Sequence, residues 1–116
     1  AITIHIYYKG TGDAAKQFAK EMTESGTVDA IRREEGTYAM NIFAVEEEET
    51  VLLIDSWENQ KAIDLHHASP MMNTIMKLRE KYDLHMRVER YVSDDGIPDT
   101  DRKFIKTRQL RRAELF

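Results

Sequence analysis

The apolar residues of this chain change their spacing several times, and the order of those changes constrains the fold more than any other feature. Residues 2–8 alternate strictly, with isoleucines on one face, which predicts a strand. From Ala14 the apolar residues recur at helical spacing instead, so we expect a helix that Asp13 can cap. Gly26 interrupts this helix, and one further turn can follow it.

The rest of the chain continues to alternate between strands and helices. The predicted elements are a strand at Tyr38–Val45, a strand at Val51–Trp57, a helix capped by Asn59 that runs to about His67, a helix that starts at Pro70, and a strand at Leu84–Val92. The apolar start of the strand at Val51–Trp57 predicts that this strand is central and covered on both faces. The acidic run Glu46–Glu49 predicts an exposed hairpin loop. A cation site is the alternative, although nothing spaces these carboxylates around an ion.

The resulting order, βαββαβ, predicts an α+β, ferredoxin-like fold in which helices cover one face of an antiparallel sheet. The length of 116 residues fits one such domain. The uncovered sheet face would expose apolar side chains, such as Tyr38, Met40 and Ile42 or their alternates. Monomers rarely leave so large an apolar surface in water, so we expect a homodimer.

The net charge of −4 combines two regions of opposite sign. Residues 1–101 hold 11 basic and 20 acidic side chains, whereas residues 102–116 hold six basic and one acidic side chain. We therefore expect a globular domain over residues 1–93, followed by a linker and a basic C-terminal arm over residues 94–116. The acidic surface near Glu46–Glu49, on the same chain or its twin, is the expected target of the arm. Nucleic acid is not an expected partner, because the body is acidic and the arm lacks interleaved aromatic residues.

Composition and motifs exclude several kinds of site. The absence of cysteine excludes disulfides, thiolate nucleophiles, iron–sulfur clusters and cysteine-based zinc sites, and it suits the cytoplasm. No apolar run approaches the roughly 20 residues of a membrane-spanning helix, so no membrane partner is expected. Gly10 and Gly12 lack the third glycine of a dinucleotide loop, so we predict a turn at this position. Asp64, His66 and His67 make a poor metal site, because neighbouring helical residues point about 100° apart.

The most informative pattern lies in residues 55–70. A strand ends in Trp57-Glu58-Asn59, a helix follows, and His66-x-x-Ser69-Pro70 precedes the next helix. This pattern resembles the antibiotic biosynthesis monooxygenase family, whose members pair two βαββαβ units into a dimeric α+β barrel. The resemblance covers about residues 1–93, and it marks the superfamily better than any one reaction within it.

The resemblance implies oxygen chemistry without a metal, a flavin or a nicotinamide. An electron-rich aromatic substrate, such as a quinol or related phenol, loses a proton and passes electrons directly to O₂. The protein must supply an apolar pocket, a base and hydrogen-bond donors. The candidate residues are His66 as the base, Trp57 and Asn41 as groups that position the substrate, and His5, Tyr7, Met72 and Met76 as further substrate-binding residues.

Each candidate also has a structural interpretation. A tryptophan at a strand end is commonly a core residue, and a histidine beside Ser-Pro can simply fix the bend between two helices. Some relatives degrade haem with an asparagine on the first strand and a tryptophan inside a helix. Here the first strand has no asparagine, and Trp57 ends a strand, so haem degradation is less expected. Non-catalytic binding of a small aromatic ligand or of haem remains the alternative function.

Overall fold

The computed structural model describes residues 1–45 and 48–105. In chain order the elements are β1 (Ile2–Lys9), α1 (Ala14–Glu24), α2 (Thr27–Arg32), β2 (Thr37–Val45), β3 (Thr50–Trp57), α3 (Gln60–His67), α4 (Met71–Lys81), β4 (His85–Val92) and α5 (Asp99–Arg102). The predicted βαββαβ order is confirmed, with each helical segment divided in two and a short helix added at the end. Within the described residues, no helix is both long and apolar enough to cross a bilayer.

The strands form one four-stranded antiparallel sheet in the order β2-β3-β1-β4, so β3 and β1 are central. The larger helices pack against one face of this sheet. The largest fully buried side chains lie between the two layers and are Trp57, Phe18, Met22, Ile31, Met40 and Val51. This arrangement is the predicted α+β, ferredoxin-like fold.

The described residues leave the other sheet face uncovered, although it carries apolar side chains. On β3, the partly exposed Leu52 and Ile54 alternate with the buried Val51 and Leu53. On β2, Phe43 is 50% exposed. The predicted central position of β3 is confirmed, and the described residues of one protomer cover one of its faces.

In strand β2, the residues on the uncovered face are the alternates of those first named for that face. Met40 is buried and pairs with Asp55, and Ile42 packs against the core, so these two residues face the helices. The uncovered face carries their alternates, Asn41 and Phe43. Both sets of alternating residues in β2 are largely apolar, and for this reason the pattern alone did not fix the phase.

The helix starts agree only partly with the predicted caps. Asn59 caps α3, because its side-chain oxygen accepts the backbone N–H of Ala62 at 3.0 Å. Asp13 precedes α1 but makes no capping hydrogen bond, so that prediction is wrong, and its carboxylate accepts instead from the Gln17 side chain. The turn expected after Gly26 is a separate helix, α2. Gly26 directly precedes this helix and has a φ of 82°.

Gly36 brings the turn after α2 against the start of α3. Its φ is 82°, and a Cβ atom at this position would lie 2.6 Å from the Cβ of Ala62. Its carbonyl oxygen accepts the backbone N–H of Glu58 at 2.7 Å. Only glycine allows this close approach without strain, and the approach places the neighbouring Glu34 beside α3.

Several predictions fall partly outside the described residues, which omit residues 46–47 and 106–116. Glu48 and Glu49 are exposed between the paired strands β2 and β3, as expected for the hairpin. Where the predicted linker meets the basic arm, Asp99 and Arg102 pair within α5, with 3.1 Å between Nε and Oδ1. Contact between the basic arm and the acidic loop stays a prediction, as does the domain boundary at residue 93.

Candidate functional site

A mostly apolar cleft of about 280 Å³ lies between the sheet and the helices. Isoleucine, leucine, valine and methionine side chains form most of its wall. The other side chains that line it are Tyr8, Asp55, Trp57, Gln60, His66, His67, Arg79 and Arg90. The volume is close to the lower end of small-molecule sites, about 300–1,000 Å³, and an apolar wall with a few polar groups is typical of such sites.

Two residues of the sequence motif meet in this cleft. Trp57 is the last residue of β3, and the two-residue connection to α3 turns the chain so that His66 packs on it. The two ring centroids are 4.9 Å apart, with a tilt of 33°. Both side chains are buried, so His66 lies in an environment that excludes most water.

Glu34 is a second contact that holds the His66 ring. It lies in the turn between α2 and β2, and its Oε2 is 2.7 Å from Nδ1 of His66. When Nδ1 carries a proton, its N–H donates a hydrogen bond to this carboxylate. Nε2 then keeps a free lone pair and can accept a proton. The pair therefore has the form of a histidine base oriented by a carboxylate.

Asp55 is a site residue that the sequence reasoning missed. It lies two residues before Trp57 on the same face of β3 and is 6% exposed. Burial raises the pKa of its carboxyl group, although the indole N–H of Trp57 and the nearby His66 and His67 act in the opposite direction. Its Oδ1 has no hydrogen-bond partner among the described residues. A buried carboxyl with a raised pKa in a cleft is a common property of functional sites.

Tyr8 adds a neutral hydroxyl to the cleft wall. Burial raises the pKa of this tyrosine to about 12, with Arg79 lowering it and Asp55 raising it further. The side chain is 3% exposed and packs on Phe18, with ring centroids 4.7 Å apart. The hydroxyl therefore stays protonated at neutral pH and can donate a hydrogen bond.

Comparison with protein families gives a match over the greater part of the chain. The model of the family described as antibiotic biosynthesis monooxygenase matches residues 1–78. The chain belongs to the antibiotic biosynthesis monooxygenase family. No curated protein sequence is similar enough to this chain to count as a match.

Solved structures share the fold of this antibiotic biosynthesis monooxygenase family member at low sequence identity. A proposed antibiotic biosynthesis monooxygenase from Deinococcus radiodurans is 15% identical, with a TM-score of 0.71 over 84% of this chain and 97% of that one. A similarly described protein from Nitrosomonas europaea is 16% identical, with a TM-score of 0.69 over 80% and 98% of the two chains. SnoaB, a cofactor-independent oxygenase from Streptomyces nogalater, is 12% identical, with a TM-score of 0.66 over 84% of this chain and 97% of that one.

Of the seven site residues predicted from the sequence of this family member, four line the cleft and three do not. His66, Trp57, Met72 and Met76 line it together. Asn41, His5 and Tyr7 lie on the uncovered face of the sheet. The register shows this placement, because Asn41 and His5 both pair with Ile54, and Tyr7 pairs with Leu52. The expectation that these three share a cleft with His66 is wrong within the protomer.

The signals for the missed residues differ in strength. Asp55 was visible in principle, because a charged residue interrupts an apolar strand in phase with Leu53 and Trp57. Glu34 lies 32 residues before His66 in the sequence, and no spacing rule relates the two. Among the described residues, no group of three or more histidine, aspartate or glutamate side chains is placed to hold a metal ion.

Proposed function

We propose that this protein is a monooxygenase that oxidises a quinol or a related phenol with O₂ and needs no cofactor. The observation that carries the proposal is the His66–Glu34 pair, packed against Trp57 inside an apolar cleft. This arrangement supplies a base and a site for an aromatic ring in a volume that suits a small molecule. The fold shared with a structure described as a cofactor-independent oxygenase supports the same reading.

The proposed reaction uses the substrate as its own reductant. His66 takes a hydroxyl proton from the quinol, and the electron-rich phenolate passes electrons to O₂. A bond forms between a ring carbon and one oxygen atom to give a hydroperoxide. The C–H bond of that carbon and the O–O bond then break, and the other oxygen atom leaves as water. In the net reaction a quinol and O₂ give a hydroxyquinone and water, so the quinol supplies all four electrons that O₂ requires.

The other residues of the cleft have roles that follow from their positions. Glu34 keeps the imidazole in one tautomer, and Trp57 offers an aromatic face against which the substrate ring packs. Tyr8 places an O–H donor in the cleft, and the raised pKa of Asp55 favours the protonated carboxyl, which is a second donor. Such donors stabilise negative charge on the substrate oxygen after proton transfer.

Oxygen consumption tests this proposal directly. Purified, metal-free protein is mixed with a panel of quinols in an oxygen-electrode cell, and the uncatalysed oxidation is subtracted. We expect uptake by the wild type and a loss of about 100-fold or more in His66→Ala, the usual effect of removing a general base. His85→Ala is the matched control, because this histidine is exposed at the start of β4 and does not line the cleft.

Two results would count against the proposed reaction. If the wild type does not accelerate oxygen uptake with any quinol of the panel, the enzyme proposal fails for these substrates. If the wild type binds the corresponding quinones under the same conditions without oxygen uptake, the alternative of a non-catalytic ligand-binding module is favoured. Equal losses in His66→Ala and His85→Ala would remove His66 from its specific role as base.

We also propose that two copies pair through the uncovered sheet face, in the cytoplasm. The apolar residues Leu52, Ile54 and Phe43 on that face support this assembly, since pairing would remove them from water. The absence of cysteine is consistent with a reducing compartment. In such a dimer the cleft of each protomer lies on the other side of its sheet from the interface.

A further inference from the structure

We infer that the ligand of the cleft carries an anionic oxyacid group, a carboxylate or a phosphate, and that Arg79 and Arg90 bind this group. The inference deepens the proposed function, because it names the class of aromatic compound that the site accepts. It depends on the proposed function only for the chemistry of the ring, and binding of the anionic group can be measured without any reaction.

Arg79 lines the cleft from α4 and is partly buried. Its Nη1 lies 2.9 Å from the sulfur of Met86, and a thioether is a weak hydrogen-bond acceptor. None of the described carboxylates lies within 4.0 Å of its guanidinium nitrogens. Its charge is therefore only weakly compensated, although it adjoins a cavity with an apolar wall.

Arg90 lines the same cleft from β4. Strand register places Arg90 beside Ile4, and the cleft residue Met86 beside Tyr8, so both residues of β4 face the helix side of the sheet. Nη1 of Arg90 donates a hydrogen bond to Oε1 of Gln60 at 2.6 Å, and this amide oxygen is a neutral acceptor. As with Arg79, no described carboxylate forms an ion pair with this residue.

These two arginines contrast with four other cations among the described residues, each of which pairs with a carboxylate. Ion pairs with carboxylates join Arg32 to Asp29, Arg87 to Glu89, Arg102 to Asp99 and Lys81 to Glu21. Residues 1–101 have an excess of nine acidic side chains, so potential partners are abundant. Unpaired guanidinium groups at a cleft in such an acidic body create a local positive potential, which attracts an anion.

Asp55 alone cannot neutralise both arginines from inside the cleft, because one carboxyl group carries at most one negative charge. It is the only acidic residue among the described side chains that line the cavity, and burial disfavours its charged form. Tyr8, His66 and His67, the other titratable groups of the cavity wall, contribute no negative charge at neutral pH. The cleft therefore presents two permanent positive charges to a ligand whose ring packs against apolar side chains.

Guanidinium groups bind carboxylates and phosphates through paired N–H donors, and a neutral quinol would leave these donors without a charged partner. The inference is tested with three ligands that share one ring system: 1-naphthoate, 1-naphthyl phosphate and the neutral 1-naphthol. Their affinities are measured by isothermal titration calorimetry at constant pH and without oxygen. We expect at least one anion to bind about tenfold or more tightly than 1-naphthol.

Substitutions locate the source of the preference. Arg79→Gln and Arg90→Gln are expected to reduce the preference for the anion, Arg79→Gln by about tenfold, while the affinity for 1-naphthol changes little. Lys77→Gln removes one positive charge from an exposed position on the same helix as Arg79 and is the matched control. It should leave the preference unchanged. The preference should also weaken as salt is added, since the Debye length falls to about 3 Å at 1 M.

Equal affinities of the wild type for the three ligands, or binding of none of them, would overturn the inference. A preference that survives in both arginine variants would overturn it as well. A preference for only one of the two anions supports it and identifies the oxyacid. The outcome is separate from that of the proposed reaction: anion binding without oxygen uptake supports this inference alone, and turnover of neutral quinols without any charge preference supports the reaction alone.

Discussion

At the scale of single residues, Asp55 occupies a position where an apolar side chain would suit the fold better. It lies on the cleft face of the most buried strand, and its Oδ1 accepts no hydrogen bond from the described residues. A buried polar atom without a partner costs roughly 1–3 kcal/mol of folding free energy. A side chain with this cost and this position is better explained by an interaction with a ligand than by packing.

Asp55→Asn should become progressively more stable relative to the wild type as the pH rises. Burial raises the pKa of Asp55 in the folded state, whereas the unfolded chain has an ordinary value near 3.9. Between these two values the folded state binds more protons, so wild-type stability falls with increasing pH and then levels off above the folded pKa. The free energy of unfolding is measured by urea denaturation from pH 4.5 to 8.

The matched control for this measurement is Asp64→Asn, which replaces an exposed carboxylate on α3. Its stability difference from the wild type should vary much less with pH. If the difference between Asp55→Asn and the wild type does not change between pH 4.5 and 8, the carboxyl of Asp55 ionises in the folded protein as easily as in the unfolded chain. The role of Asp55 as a protonated donor would then be wrong.

At the scale of elements, periodicity was sufficient for the order of strands and helices. The alternation in residues 2–8 also determines which side chains of β1 share a face of the sheet. Ile4 and Ile6 face the helices, so His5 and Tyr7 must face the other side of the sheet. In β2 both phases are apolar, and the face on which Asn41 lies was decided by tertiary packing rather than by local pattern.

The components of the site were predictable to different degrees. Trp57 and His66 belong to one short motif, and a strand end followed by a capped helix is enough to bring them together. Glu34 reaches His66 only because the turn that ends α2 docks on α3, and this contact depends on the tertiary fold. Arg79 and Arg90 come from two further elements, and pairing β4 with β1 is required before both line one cavity.

Gly36→Ala should destabilise the protein more than Gly26→Ala, although both glycines have a φ of 82°. An added Cβ at Gly26 meets nothing within 4 Å, so this variant measures the cost of the left-handed backbone alone, about 1–2 kcal/mol. At Gly36 the Cβ also clashes with Ala62 at 2.6 Å. Relief of the clash moves the turn away from α3 and weakens the contact between Glu34 and His66.

Urea denaturation of the two variants at one pH measures these costs. The additional loss in Gly36→Ala should be accompanied by a larger fall in oxygen uptake than in Gly26→Ala, under conditions where both variants are folded. Equal free energies of unfolding for the two variants would contradict the clash. Equal oxygen uptake would show that the docking of this turn is not needed to orient His66.

At the scale of the whole molecule, the two faces of the sheet have different surroundings. One face is covered by helices and contains the cleft, and its charged groups are concentrated at the cavity wall. The other face is uncovered, with apolar residues in the central strand β3 and in β2. Some of its polar residues already contact each other across the strands, since Thr3 and Ser56 share a hydrogen bond of 2.8 Å. A face with its polar groups paired and its apolar groups exposed is suited to burial.

Ile54→Glu should convert the proposed dimer into a monomer. Ile54 lies in the central strand β3, paired with His5 on one side and Asn41 on the other, so a charge there would be buried at the middle of a sheet-to-sheet interface. An unpaired buried charge costs several kcal/mol, enough to dissociate a small interface. Sedimentation velocity measures the mass of each variant, and circular dichroism establishes that the monomer remains folded.

Leu65→Glu is the matched control, because it introduces the same charge at an apolar residue of α3 that is 54% exposed and outside the sheet. We expect it to sediment as the wild type does. A wild type that sediments as a monomer at all concentrations would contradict the proposed pairing, and a dimer unaffected by Ile54→Glu would place the interface elsewhere. Since the cleft lies on the opposite side of the sheet, a folded Ile54→Glu monomer should still bind the naphthalene ligands, which separates assembly from ligand recognition.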